Sequence, residues 1–133
     1  MWNLTGSPFD LTGRVAIVTG GGRGLGAVMV MGLAQAGAKV AAVGRRIEAC
    51  VEVAGQIRDA GGQAFPAVAD ITQPESVKAA FEQVVQAFGP IDILVNNAGI
   101  SPFIAPLDQT RLAGSMTVFQ NICKCVYGGL HLQ

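Results

Sequence analysis

An excess of charge of either sign is missing from this sequence. Nine Lys and Arg balance nine Asp and Glu, so the formal net charge is zero. Such a balance gives no electrostatic attraction to DNA, RNA or an anionic membrane, and none of these is an expected partner. Long uncharged runs are missing too. The run from Gly24 to Ala38, between Arg23 and Lys39, is rich in glycine. It falls short of the roughly 20 apolar residues that a bilayer span needs, and reads as a buried helix. The start, Met1-Trp2-Asn3-Leu4, has no basic region followed by an apolar stretch, so no secretory signal is expected. Cysteine is scarce: Cys50, Cys123 and Cys125. An odd count without a signal fits free thiols in a reducing compartment, and the cytoplasm is the expected location. Cys123-Lys124-Cys125 has one intervening residue and no second ligand pair nearby, so it reads as two unrelated thiols and no metal site is expected.

Apolar side chains are plentiful. Half of the 133 residues are hydrophobic, enough for a core in one domain, residues 1–133, and against disorder. Short apolar runs alternate with helical periodicity. Val15-Ala16-Ile17-Val18 suits a strand buried on both faces and ends at Thr19-Gly20. A helix is expected from about Gly24 to Ala36, stopped by Gly37. Val40 to Val43 reads as a second buried strand. The next helix presents Ile47, Cys50, Val51, Ala54 and Ile57 on one face, and Gly61-Gly62 ends it. Gln63 to Ala69 reads as a third strand, placed at the sheet edge because Pro66 cannot donate a backbone hydrogen bond. Thr72-Gln73-Pro74-Glu75 matches a capping box. The helix behind it would bury Val77, Ala80, Phe81, Val84, Val85 and Phe88, with Gly89-Pro90 as its stop. Ile91 to Val95 reads as a fourth strand. The alternation predicts a three-layer α/β Rossmann-type sandwich with a parallel sheet of about four strands in the order 3-2-1-4.

In such sheets a ligand binds beyond the carboxyl ends of the strands, where strand order reverses. Here that point holds Thr19-Gly20-Gly21-Gly22-Arg23-Gly24-Leu25-Gly26, between a strand and a helix. Glycines permit a tight turn and let backbone N–H groups approach a pyrophosphate, and the helix N-terminus adds partial positive charge. The other reading is a turn without a ligand. A P-loop is disfavoured, because no Gly-Lys-Ser/Thr follows. The second strand should end on the adenosine ribose. An acidic residue there would serve NAD, and an arginine would bind the 2′-phosphate of NADP. The chain has Gly44-Arg45-Arg46 and no carboxylate, with Arg23 nearby in the turn. NADP is therefore favoured over NAD. The alternative is that Arg45 and Arg46 are only solvated residues at a helix start.

The spacing Gly20-x-x-x-Gly24-x-Gly26 after a strand resembles the cofactor motif of the short-chain dehydrogenase/reductase family. Asn96-Asn97-Ala98-Gly99 after the fourth strand resembles that family's second signature, and Asp70 before Ile71-Thr72 resembles its adenine-contacting aspartate. The resemblance covers about Phe9 to Pro106. It implies a carbonyl reductase or alcohol dehydrogenase that passes hydride to or from a nicotinamide. It further implies that Gly20, Gly24 and Gly26 shape the pyrophosphate site, that Asp70 meets the adenine, that Asn96 holds strands together, and that Ala98 and Gly99 lie along the cofactor ribose. Without the resemblance, Asp70 reads as a charge near a helix start, and Asn96-Asn97 as an ordinary turn.

The family's chemistry uses a tyrosine, a lysine four residues later and a serine, all normally well beyond the point where this chain ends. The one tyrosine is Tyr127, with His131 four residues on, and reads as a packing residue. Ser101 and Ser115 come too early, and His131 sits where fraying is the default. Family members usually carry an asparagine three residues before a glycine and an apolar pair. If Val126-Tyr127 is that pair, Cys125 stands for the glycine and Ile122 for the asparagine, with Asn121 rotated about 100° around the helix. Residues from about Gly114 onward thus match poorly. The expectation is an incomplete domain: an NADP-binding fragment with no catalytic residue assigned and no activity alone. The alternatives are a non-catalytic nucleotide-binding or interaction module and a truncated product without function. Truncation would leave the fourth strand as an apolar edge able to pair with another chain.

Overall fold

The structure, a computed structural model, describes residues 8–99. Seven elements alternate along them: β1 (Val15–Thr19), α1 (Gly24–Gln35), β2 (Lys39–Gly44), α2 (Ile47–Asp59), β3 (Gln63–Val68), α3 (Pro74–Phe88) and β4 (Ile93–Val95). The strands form one sheet in the order β3-β2-β1-β4, with every pairing parallel. This is the expected Rossmann-type arrangement, and it puts β3, with Pro66, at an edge.

Strand residues alternate between the two faces of the sheet. On one face Ala16, Val18, Val40 and Ala42 pack with Val30 of α1 and Cys50, Val53, Ala54 and Ile57 of α2. On the other, Val15, Ile17, Ala41 and Val43 pack with Val77, Ala80, Phe81 and Val84 of α3. Covering on both sides is why β1 and β2 read as unbroken apolar runs. No helix among the described residues is long and apolar enough to cross a membrane.

Several local expectations are corrected. In α2 the buried residue is Val53, while Val51 is 49% exposed. Position 53 falls on the stripe 50, 53, 54, 57, and position 51 lies one step off it. Val85 of α3 is exposed for the same reason, and Phe88 is half-buried, edge-on to Phe65 with ring centroids 6.2 Å apart. The capping box does not form. The N-cap is Gln73 with Pro74 behind it, and the Thr72 hydroxyl donates instead to Asp70 Oδ1 at 2.7 Å. The helix read as buried, α1, buries only Gly26 and Val30 and leaves Leu25 74% and Val28 68% exposed. The fourth strand begins at Ile93, because Asp92 occupies its entry. The Asp92 N–H donates to Val15 O at 2.9 Å, and Asp92 Oδ2 accepts the Val15 N–H at 2.9 Å. Arg14 joins the same carboxylate at 3.5 Å. The readings of Ser101, Ser115, Asn121, Ile122, Cys123, Cys125, Tyr127 and His131 fall outside the described residues.

Candidate functional site

The carboxyl ends of all four strands open into one groove of about 750 Å³, within the size range of small-molecule and cofactor sites. Its floor is built at the end of β1. Thr19 is buried, and its hydroxyl donates to Val95 O at 3.3 Å. The same oxygen accepts the Asn97 N–H at 3.2 Å and the Ala98 N–H at 3.0 Å. Asn97 Nδ2 returns two bonds, to Thr19 O at 3.1 Å and Gly20 O at 3.3 Å. This lattice joins the turn after β1 to the turn after β4. Asn97, rather than Asn96, carries the bridging role among the described residues. Asn96 Oδ1 is buried without a hydrogen-bond partner among the described residues, and Asn96 is the one expected cofactor residue that does not line the groove.

The turn from Gly20 to Arg23 delivers the chain into α1. A Cβ on Gly26 would run into the Gly20 carbonyl oxygen and come within 2.6 Å of Asn97 Nδ2, so only glycine lets the helix sit this close to the turn. Gly24 differs. Its φ of +58° favours glycine, and a Cβ there would meet nothing within 4 Å. The first turn of α1 contains no acidic residue, and its N-cap, Arg23, makes no side-chain cap. The first N–H groups of a helix have no partner within the helix, and among the described residues no side-chain cap forms here. Together with the helix dipole they suit an anion.

The remaining strands furnish the rest of the groove. Arg45 and Arg46 follow β2, Asp70 and Ile71 follow β3, and Ala98 and Gly99 follow β4; Gly20, Arg23, Gly24, Leu25 and Gly26 complete it from the turn. Asp70 Oδ1 accepts from the Thr72 hydroxyl at 2.7 Å and the Thr72 N–H at 2.9 Å. These bonds, with a smaller contribution from the Arg45 charge, hold the Asp70 carboxyl below the usual carboxylate range. Its backbone N–H donates to Ser76 Oγ at 2.9 Å. Asp70 therefore stays ionised at neutral pH and fixed in direction. Cys50 also lines the groove, buried, and burial pushes its thiol up. It remains a neutral thiol beneath a site suited to anions.

The sequence profile of the short chain dehydrogenase family matches residues 14–125. The chain belongs to this family. Its match runs past Gly114 and takes in β1 through β4. An uncharacterized oxidoreductase of Mycobacterium tuberculosis is 47% identical over 91 residues, covering 68% of this chain and 35% of that protein. A short-chain dehydrogenase/reductase from Mycobacterium marinum superposes with a TM-score of 0.80 at 31% identity, covering 93% of this chain and 51% of that one. A metagenomic short-chain oxidoreductase in complex with NADP superposes with a TM-score of 0.76 at 34% identity, covering 92% of this chain and 56% of that one. The chain thus spans between about a third and just over half of the length of these proteins.

Sequence reasoning missed Ala49 and Cys50, which line the groove from the first turn of α2. It assigned Cys50 to the apolar stripe, which is where it packs. Its second contact, to the glycine turn, arises only once α1 and α2 lie side by side.

Proposed function

We propose that the chain binds NADP(H) and forms the cofactor-binding part of a short-chain dehydrogenase/reductase acting on a carbonyl or alcohol. The observation that carries the cofactor choice is the Arg45–Arg46 pair at the end of β2, lining the same groove as the glycine turn. The pyrophosphate fits the uncapped start of α1, and the 2′-phosphate fits the arginines. Asp70 and Ile71 would border the adenine, and Ala98 and Gly99 the nicotinamide-side ribose. When bound, NADPH supplies the hydride; the residues named here bind and orient it. The substrate-facing tyrosine, lysine and serine are left to a longer parent, and the 133-residue chain alone is proposed to be inactive. The odd number of cysteines supports a cytoplasmic setting.

Replacing Arg45 and Arg46 together by alanine should weaken NADPH binding about ten- to a hundredfold, the loss of one or two charge-assisted bonds of about 1.5–3 kcal/mol. NADH binding should change little. Titration of both variants and both cofactors by nucleotide fluorescence checks this, and equal losses for the two cofactors would sink the NADP assignment.

A second reading is supported by the sheet edge. Among the described residues β4 pairs only with β1, and its Ile93-Leu94-Val95 side chains are half-buried. A non-catalytic module pairing through this edge would sediment as a stable assembly, and a monomer at high concentration would count against it.

A further inference from the structure

The glycine turn touches α2 through small atoms alone. A Cβ on Gly22 would stand 3.0 Å from Ala49 Cβ and 3.2 Å from both Cys50 N and Cys50 Sγ. Such contacts are tight enough that a neighbour must give by a few tenths of an ångström. The same thiol limits Gly44 at the end of β2, where a Cβ would lie 3.2 Å from Cys50 Sγ. Beside this contact the Gly21 N–H donates to Val43 O at 3.1 Å. The turn is therefore tied to the end of β2 by a hydrogen bond and held against the first turn of α2 by van der Waals contact. Arg45 and Arg46 stand between these two ties, and Arg46 is the N-cap of α2.

We propose that the seam between Gly22 and Ala49–Cys50 determines cofactor specificity, by setting the separation between the pyrophosphate-binding turn and the arginines that take the 2′-phosphate. This rests on the cofactor reading above. A dinucleotide carries both anionic groups on one covalent frame, so it reaches both sites with good geometry only within a narrow range of spacings. NADPH needs the turn and the arginines together. NADH needs the turn but has no 2′-phosphate for the arginines to hold. The seam lets the turn approach α2 closely, and a methyl group inserted there separates the two anion sites without removing any polar contact.

The test is the ratio of NADH to NADPH dissociation constants for the full chain, with thermal melts as a check on folding. G22A should weaken NADPH about tenfold, the loss of about one charge-assisted bond to the 2′-phosphate, and should leave NADH nearly unchanged. A49V crowds the same contact from the α2 side and should give the same result, and it decides the matter if G22A does not fold. The double variant G22A/A49G relieves the contact with Ala49 Cβ, the tightest of the three, but not those with Cys50 N and Sγ, and should recover part of the preference for NADPH. Equal weakening of both cofactors, no change in either, or a double variant no closer to the wild-type ratio than G22A would each overturn the seam. A wild-type chain that binds NADPH no better than NADH would instead overturn the arginine assignment; a chain that binds neither would overturn both.

Discussion

Thr19→Val should lower the stability of the chain by about 2–3 kcal/mol, although valine has nearly the shape of threonine. The Thr19 hydroxyl accepts the N–H groups of Asn97 and Ala98 and donates to Val95 O. Valine strands the Ala98 N–H and leaves the Asn97 N–H only its bond to Val95 O at 3.1 Å, at a position that is 2% exposed. One unsatisfied buried donor costs about 1–3 kcal/mol and each further lost bond about 0.5–1.5 kcal/mol, and the half-buried setting of Asn97 and Ala98 places the sum toward the lower end. That is a large share of a domain stability of about 5–15 kcal/mol. Urea denaturation followed by circular dichroism reads it as a lower midpoint at unchanged slope. Thr19→Ser keeps the hydroxyl and should cost only about 1 kcal/mol for the lost methyl. A valine variant as stable as the serine variant would show that the hydroxyl does not hold the junction.

Gly26→Ala should weaken NADPH binding by about a hundredfold or more. The added methyl meets the Gly20 carbonyl oxygen and Asn97 Nδ2. Neither can step aside freely. The carbonyl belongs to the turn itself, and Nδ2 is bonded to Thr19 O and Gly20 O. The start of α1 must therefore back away from the turn, and losing one or two charge-assisted N–H bonds to the pyrophosphate, about 1.5–3 kcal/mol each, amounts to about a hundredfold or more. Overpacking of this kind also costs about 1–3 kcal/mol of stability. Calorimetric titration with NADPH, run beside a thermal melt, separates the two effects. An unchanged dissociation constant would mean that the spacing of turn and helix does not shape the site.

Much of the architecture was legible in the sequence because β1 and β2 are covered on both faces and leave unbroken apolar runs. Pro66 marked the sheet edge correctly, since an outer strand tolerates a missing N–H. The misreadings share a cause: a local pattern competed with a neighbour. Thr72 looked like a helix cap, but Asp70, two residues back, accepts its hydroxyl and N–H. Asp92 looked like part of a strand, but its carboxylate takes the N–H of Val15. Asn96 and Asn97 are adjacent at the end of β4, and composition alone does not say which side chain faces β1. The apolar surface of α1 read as buried all round, yet Leu25 lies beside the groove and Val28 on the outer face. The contact of Gly22 with Ala49 and Cys50 joins the glycine turn to α2, and no spacing along the chain announces it.

Titration of the 133-residue chain with NADPH in a calorimeter tests most directly whether this groove is a cofactor site. Saturable binding of one NADPH per chain, tighter than that of NADH, is the expected result. A chain that melts cooperatively but gives no heat with NADPH at millimolar concentration would contradict it.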